Sequence, residues 1–159
     1  MVMKKVILAT LCLTVLSSAG ASEKVGAYLF GVQYQRDTNA TDALRFGLGL
    51  PFAGVFVGGG AVALSGDAAF LRHTAPATEL VQPYYGGGLG LGTVFATSGG
   101  TTAGGVSLYP HVLGGANFNV TSQLSLFAEG SVGLDAWIGT GSAVTFGYGV
   151  RLGVNYTIR

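Results

Sequence analysis

From Val144 to Arg159 the chain alternates without a break between two kinds of residue. Even positions hold Val144, Phe146, Tyr148, Val150, Leu152, Val154, Tyr156 and Ile158; odd positions hold Thr145, Gly147, Gly149, Arg151, Gly153, Asn155, Thr157 and Arg159. A helix would scatter both sets around its axis, whereas an extended strand sends each set to its own face. The run is much longer than the ~5–6 residues usual for a soluble strand. It suits the tilted strand of a barrel that crosses a bilayer.

The same period returns upstream. In the run from Leu124, the set Leu124, Leu126, Ala128, Val132, Leu134 and Ile138 alternates with Ser125, Phe127, Glu129, Ser131, Asp135 and Trp137. Val106, Leu108, Val112, Ala116 and Phe118 oppose Ser107, Tyr109, His111, Gly115 and Asn117. Val81, Tyr85, Leu89, Leu91 and Phe95 oppose Gln82, Tyr84 and the glycines at 86, 88, 90 and 92. Leu44, Phe46, Leu48 and Leu50 oppose Arg45, Gly47 and Gly49. The first run sets Tyr28, Phe30, Val32 and Tyr34 against Ala27, Gly31, Gln33 and Gln35, and Val55–Leu64 is apolar on both faces.

Turn signals at 36–42, at Pro51–Gly54, and at 98–105, 119–123 and 139–142 separate seven clear strands. Single-chain bacterial barrels normally carry an even number, and a short eighth strand is expected at Asp67–His73. The fold class predicted is all-β: a closed, antiparallel, up-and-down transmembrane barrel of eight strands. With both termini at the periplasmic end, 119–123 is a periplasmic turn, and 36–42, 65–66, 98–105 and 139–143 point outward from the cell.

Composition supports an oily exterior. Charged residues are 9% of the 159, hydrophobic residues 49% and glycines number 28, against about 25% charge in an average soluble domain. Eight Lys+Arg against seven Asp+Glu, with no basic block, leave nucleic-acid binding without electrostatic support. Residues 1–21 read as a cleaved secretory signal peptide: Lys4 and Lys5, the apolar Val6–Leu16, then Ala19-Gly20-Ala21. Residues 22–159 form a single barrel domain. The one cysteine, Cys12, lies in the leader, so the exported chain has no disulfide and no thiolate ligand.

Two barrels share this strand list. A secreted lipocalin-like carrier turns its apolar set inward, whereas an outer-membrane barrel turns it toward lipid. The apolar sets in these runs carry no charge, as a lipid-facing surface requires, because Lys or Arg at the bilayer midplane costs ~2–4 kcal/mol. Membrane lipid is then the surrounding partner.

On that assignment Arg45, Glu129, Asp135 and Arg151 face the lumen and are expected to form an ion-pair network, with Arg151 meeting Glu129 on the neighbouring strand. Tyr84, Tyr109, His111 and Trp137 supply lumenal polar and aromatic bulk, and the glycines at 86, 88, 90 and 92 are expected to give Trp137, Phe127, Tyr84 and Tyr109 space to cross the lumen. An eight-stranded barrel has space for side chains and little else, so the lumen is expected to be plugged. No hydrolase or metalloprotease motif occurs. Glu129 and Asp135 lie ~20 Å apart along one strand, too far for a catalytic pair. Two histidines on different strands without cysteine make no metal site. Neither enzymatic activity nor a cofactor is expected.

The segment from Pro83 to Gly92, PYYGGGLGLG, resembles the glycine-alternating strand of small OmpA/OmpX-type outer-membrane barrels. Asn119–Leu126, NVTSQLSL, is similar to the periplasmic turn entering their next strand. Arg151–Ile158, RLGVNYTI, resembles their C-terminal signal for the barrel-assembly machinery: polar Arg151, Gly153, aromatic Tyr156 and hydrophobic Ile158. It departs in ending on Ile158 and Arg159 rather than on an aromatic. The resemblance implies an integral protein of the bacterial outer membrane, porin-like in architecture, with the assembly machinery as a partner. The expected function is a non-enzymatic structural or surface-interaction role, carried by the loops 36–42 and 98–105. A narrow channel for ions or small solutes and the secreted carrier remain as alternatives.

Overall fold

The computed structural model describes residues 22–50, 61–98, 101–139 and 141–158. Eight strands follow in chain order: β1 Glu23–Tyr28, β2 Gly31–Asp37, β3 Asp42–Gly49, β4 Ala61–His73, β5 Val81–Ser98, β6 Thr101–Asn119, β7 Leu124–Gly139 and β8 Ser142–Thr157. Each pairs antiparallel with the next, and β8 returns to β1 from Lys24↔Thr157 to Tyr28↔Gly153. The product is a closed up-and-down barrel. Closure leaves the ring without a terminal edge strand.

The alternation read from sequence becomes an inside and an outside. Odd residues of β3, β4 and β6–β8 point inward and even ones outward, whereas in β5 the even residues, Gln82 and Tyr84 among them, face the lumen. Phe46, Leu91, Val112, Leu134 and Tyr148 are exposed, Tyr148 by 82%, whereas Arg45 is 1% and Glu129 5% exposed. Buried charge and exposed hydrophobe invert the distribution of a soluble globule.

The count of eight agrees with expectation, but the strands are divided differently. Residues 27–35 are not one run: the chain turns at Leu29–Phe30, Tyr28 pairs with Gly31, and Phe30 takes a left-handed φ of 71°. Two-residue hairpins usually place Gly, Asn or Asp at such a position, so Leu29-Phe30 gave no turn signal. The hairpin also switches parity: Tyr28 faces inward, with the Arg151 guanidinium 4.9 Å from its ring centre, not outward with Val32. Asp67–His73 is not a separate short strand but the second half of β4. Pro51–Gly54, residues 55–60 of the apolar run, the leader 1–21 and Arg159 lie outside the described residues.

Loop placement changes accordingly. The β6–β7 turn is at the terminal end, as expected. The segment 38–41 is also at that end rather than opposite it, and 65–66 lies within β4. Only the strand ends at Ser98 and Thr101 and at Gly139 and Ser142 keep their expected place at the far end. Side chains shape the terminal-end turns: Asn39 Oδ1 accepts from the N–H groups of Thr41 and Asp42 at 2.9 and 2.8 Å, and Thr121 Oγ accepts from Leu124 N–H at 2.9 Å. These are local bonds that Asn and Thr make well in turns.

Candidate functional site

Arg45 lies midway along β3 and Glu129 on β7, four strands apart in an eight-membered ring and therefore on opposite walls. They meet across the lumen in a two-pronged ion pair: Arg45 Nη1 donates to Glu129 Oε2 and Nη2 to Oε1 at 2.9 Å. Asp67 on β4 and Arg151 on β8 are also four strands apart. Arg151 Nη2 and Nη1 donate to the two oxygens of Asp67 at 2.8 and 3.1 Å. The pairs are joined, because Arg45 Nη2 is 3.8 Å from Asp67 Oδ2. Tyr84, on β5, donates its hydroxyl to Glu129 Oε2 at 3.1 Å. Two crossed, bidentate bridges thus tie opposite walls together. Such forks are among the stronger charge-assisted hydrogen bonds, and a charge this deep needs its partner.

This arrangement corrects two expectations. Arg151 stands directly opposite Glu129 in the β7–β8 register, yet it pairs with Asp67. Asp135 belongs to no ion pair among the described residues, and its Oδ1 is buried without a hydrogen-bond partner there. From sequence, Asp67 falls at the start of a short strand but has no place in the expected ion network. A signal was available in the alternation of Ser65, Asp67, Ala69 and His73 with Leu64, Gly66, Ala68 and Phe70.

Toward the terminal end the lumen is filled by further polar contacts. Gln33 Nε2 donates to Asn155 Oδ1 at 2.8 Å, Asn117 to Gln82 at 3.4 Å, and Lys24 lies 3.6 Å from Asp37. His73 meets Tyr84 edge-on, ring centres 5.7 Å apart. Toward the far end, Tyr109 and His111 stack at 4.7 Å and 16°.

The bulky lumenal rings rest on glycines of nearby strands, a pairing in which the ring covers the space a side chain would fill. Tyr109 lies against Gly90 and Gly147, and His111 against Gly88. Phe127, Tyr84 and Trp137 use Gly153, Gly115 and Gly105 instead of the expected glycines of β5. Of the residues resembling an assembly signal, Arg151 and Gly153 face inward, whereas Tyr156 and Ile158 are about half exposed on the outside (48% and 52%). Among the described residues no group of three metal-ligating side chains occurs.

A closed eight-stranded antiparallel ring with charge inside and hydrophobes outside has the architecture of small outer-membrane β-barrels. Two solved structures share it. The N-terminal β-barrel domain of Pseudomonas aeruginosa OprF matches with a TM-score of 0.59 and 11% identity, covering 87% of this chain and 96% of that one. Neisserial surface protein A (NspA) matches with a TM-score of 0.57 and 18% identity, covering 87% and 94%. No family model and no curated protein matches the sequence.

Proposed function

We propose that this chain is a non-enzymatic integral barrel of the bacterial outer membrane, with a structural or surface-interaction role and a lumen plugged by its own side chains. The observation that carries the membrane assignment is the exterior: exposed Phe46, Leu91, Leu134, Phe146 and Tyr148 would be poorly hydrated in water and well solvated by acyl chains. The likeness in fold to OprF and NspA supports it. The crossed Arg45–Glu129 and Arg151–Asp67 bridges support the plug, because they occupy the middle of a lumen that has room for little else. A secreted carrier needs a hydrated exterior, and this one is apolar.

In this reading residues 1–21 direct export and are removed, and Arg151, Gly153, Tyr156 and Ile158 address the chain to the barrel-assembly machinery. Any surface interaction falls to the far end, where β5 meets β6 and β7 meets β8. Envelope fractionation, with gel migration before and after boiling, tests the assignment. The protein is expected in the detergent-extracted outer-membrane fraction and to migrate differently once heated. Recovery as a folded species in detergent-free buffer overturns it. Planar-bilayer recording tests the plug: no steady conductance is expected, and regular single-channel steps would favour a narrow pore.

A further inference from the structure

Beyond the ion cluster, toward the far end, the sequence is almost without charge. Among the described residues there, 28–32, 46–50, 61–66, 91–98, 101–114, 130–139 and 141–150, Asp135 is the one Asp, Glu, Lys or Arg. The two arginines of the ion cluster are already engaged, Arg45 with Glu129 and Asp67 and Arg151 with Asp67. Asp135 has no ionic partner among the described residues. Its Oδ1 is buried and has no hydrogen-bond donor among the described residues. The residue as a whole is only half-buried, and a carboxylate oxygen screened from water gains from a counter-charge.

The surroundings select the kind of counter-charge. Asp135 lies beside Tyr109: a methyl group built on Gly147 would touch Tyr109 Cε2 at 2.6 Å and Asp135 Cβ at 3.5 Å. The β6–β7 ladder lapses at that level, between Leu108↔Ala136 and His111↔Gly133, where Pro110 has no N–H to give. Trp137 follows two residues on, on the same face of β7, its indole resting on Gly105. One carboxylate with two aromatic rings nearby suits an organic cation, which gains from ion pairing and from ring faces. It does not suit a hard metal ion, which needs six or more oxygen ligands.

We propose that Asp135, Tyr109 and Trp137 form a binding site for a small organic cation of the ammonium class in the far half of the lumen. The site does not depend on conduction, and it can be examined in detergent whatever the protein's cellular address. Trp137 is the chain's only tryptophan, so intrinsic fluorescence reports on this site alone. The full-length exported protein, folded in a non-ionic detergent, is titrated with tetramethylammonium chloride up to about 100 mM, a span that covers weak single-site affinities.

A saturable change in Trp137 emission is expected, absent with equal sodium chloride. In Asp135→Asn the half-saturation point should rise about tenfold or more, equivalent to roughly 1.4 kcal/mol, and Asp135→Glu should recover part of the response. Heat-dependent gel migration verifies that each variant is folded. The proposal is overturned if sodium chloride gives the same response, if Asp135→Asn responds like the parent, or if the folded parent gives no saturable response. A failure of fractionation would sink the membrane assignment and leave this titration intact.

Discussion

The two halves of the lumen solve the same problem in different ways. The terminal half and the middle are packed with polar side chains that pair with one another, Gln33 with Asn155, Lys24 with Asp37, Arg45 with Glu129 and Arg151 with Asp67, although Gln33 Oε1, Arg45 Nε and His73 Nε2 have no hydrogen-bond partner among the described residues. The far half is lined by glycines and aromatic rings, with Asp135 as the single formal charge among its described residues. Polar packing ties opposite walls by directional bonds, and each bond leaves a cost behind when one partner is removed. Ring-on-glycine packing fills volume without directional bonds. Stability should therefore be concentrated in the ion cluster, and the far half should tolerate change.

The largest expected effect is at Arg45. Arg45→Leu strands Glu129, 5% exposed, without its guanidinium, and the loss should be about 3–5 kcal/mol. The measurement is the urea midpoint of the refolded barrel in detergent, read by gel migration. A variant within error of the parent would remove the ion cluster as the centre of stability. The double variant Arg45→Leu/Glu129→Leu should recover much of that loss, because apolar replacement of a whole buried pair is often close to neutral. If the double variant is as weak as the two single losses combined, the pair contributes more than mutual compensation.

Arg151→Leu should cost less, about 1–3 kcal/mol, since Arg151 is partly exposed and Asp67 keeps Arg45 within 3.8 Å. The same titration in urea ranks the two arginines. A loss at Arg151 equal to that at Arg45 would show that the second bridge, not the shared geometry, holds Asp67.

How much of this was legible depended on which side of a strand mattered. Arg45, Glu129, Asp135 and Arg151 could be assigned to the lumen from parity alone, because the period-two pattern is unbroken through β3, β7 and β8. Their partners could not. Cross-lumen neighbours such as Arg45 and Glu129 depend on strand number and stagger around the whole ring, which local alternation does not encode. Register did place Arg151 opposite Glu129, but the guanidinium reaches across to Asp67. Tyr28 was assigned to the wrong face for a local reason: the Leu29-Phe30 hairpin lacks the usual turn residues and flips parity after it. The Asp67 error had another cause, since Leu71 interrupts the polar set of β4 and blurs its alternation.

The smallest expected effect is the most discriminating between the halves. Asp135→Asn removes a charge that has no ionic partner among the described residues, so no bond is broken and no opposite charge is stranded. Its urea midpoint should match the parent to within about 0.5 kcal/mol or lie slightly above it, since the amide avoids the cost of an uncompensated carboxylate. Glu129→Gln, equally conservative in shape, should lower the midpoint clearly because Arg45 then keeps its charge without a carboxylate. The two carboxylates sit six residues apart on one face of one strand, so strand context is largely shared. What differs is whether a guanidinium is waiting. Should Asp135→Asn destabilise the barrel as much as Glu129→Gln, the far half holds a polar network of its own, and the contrast between the halves is lost.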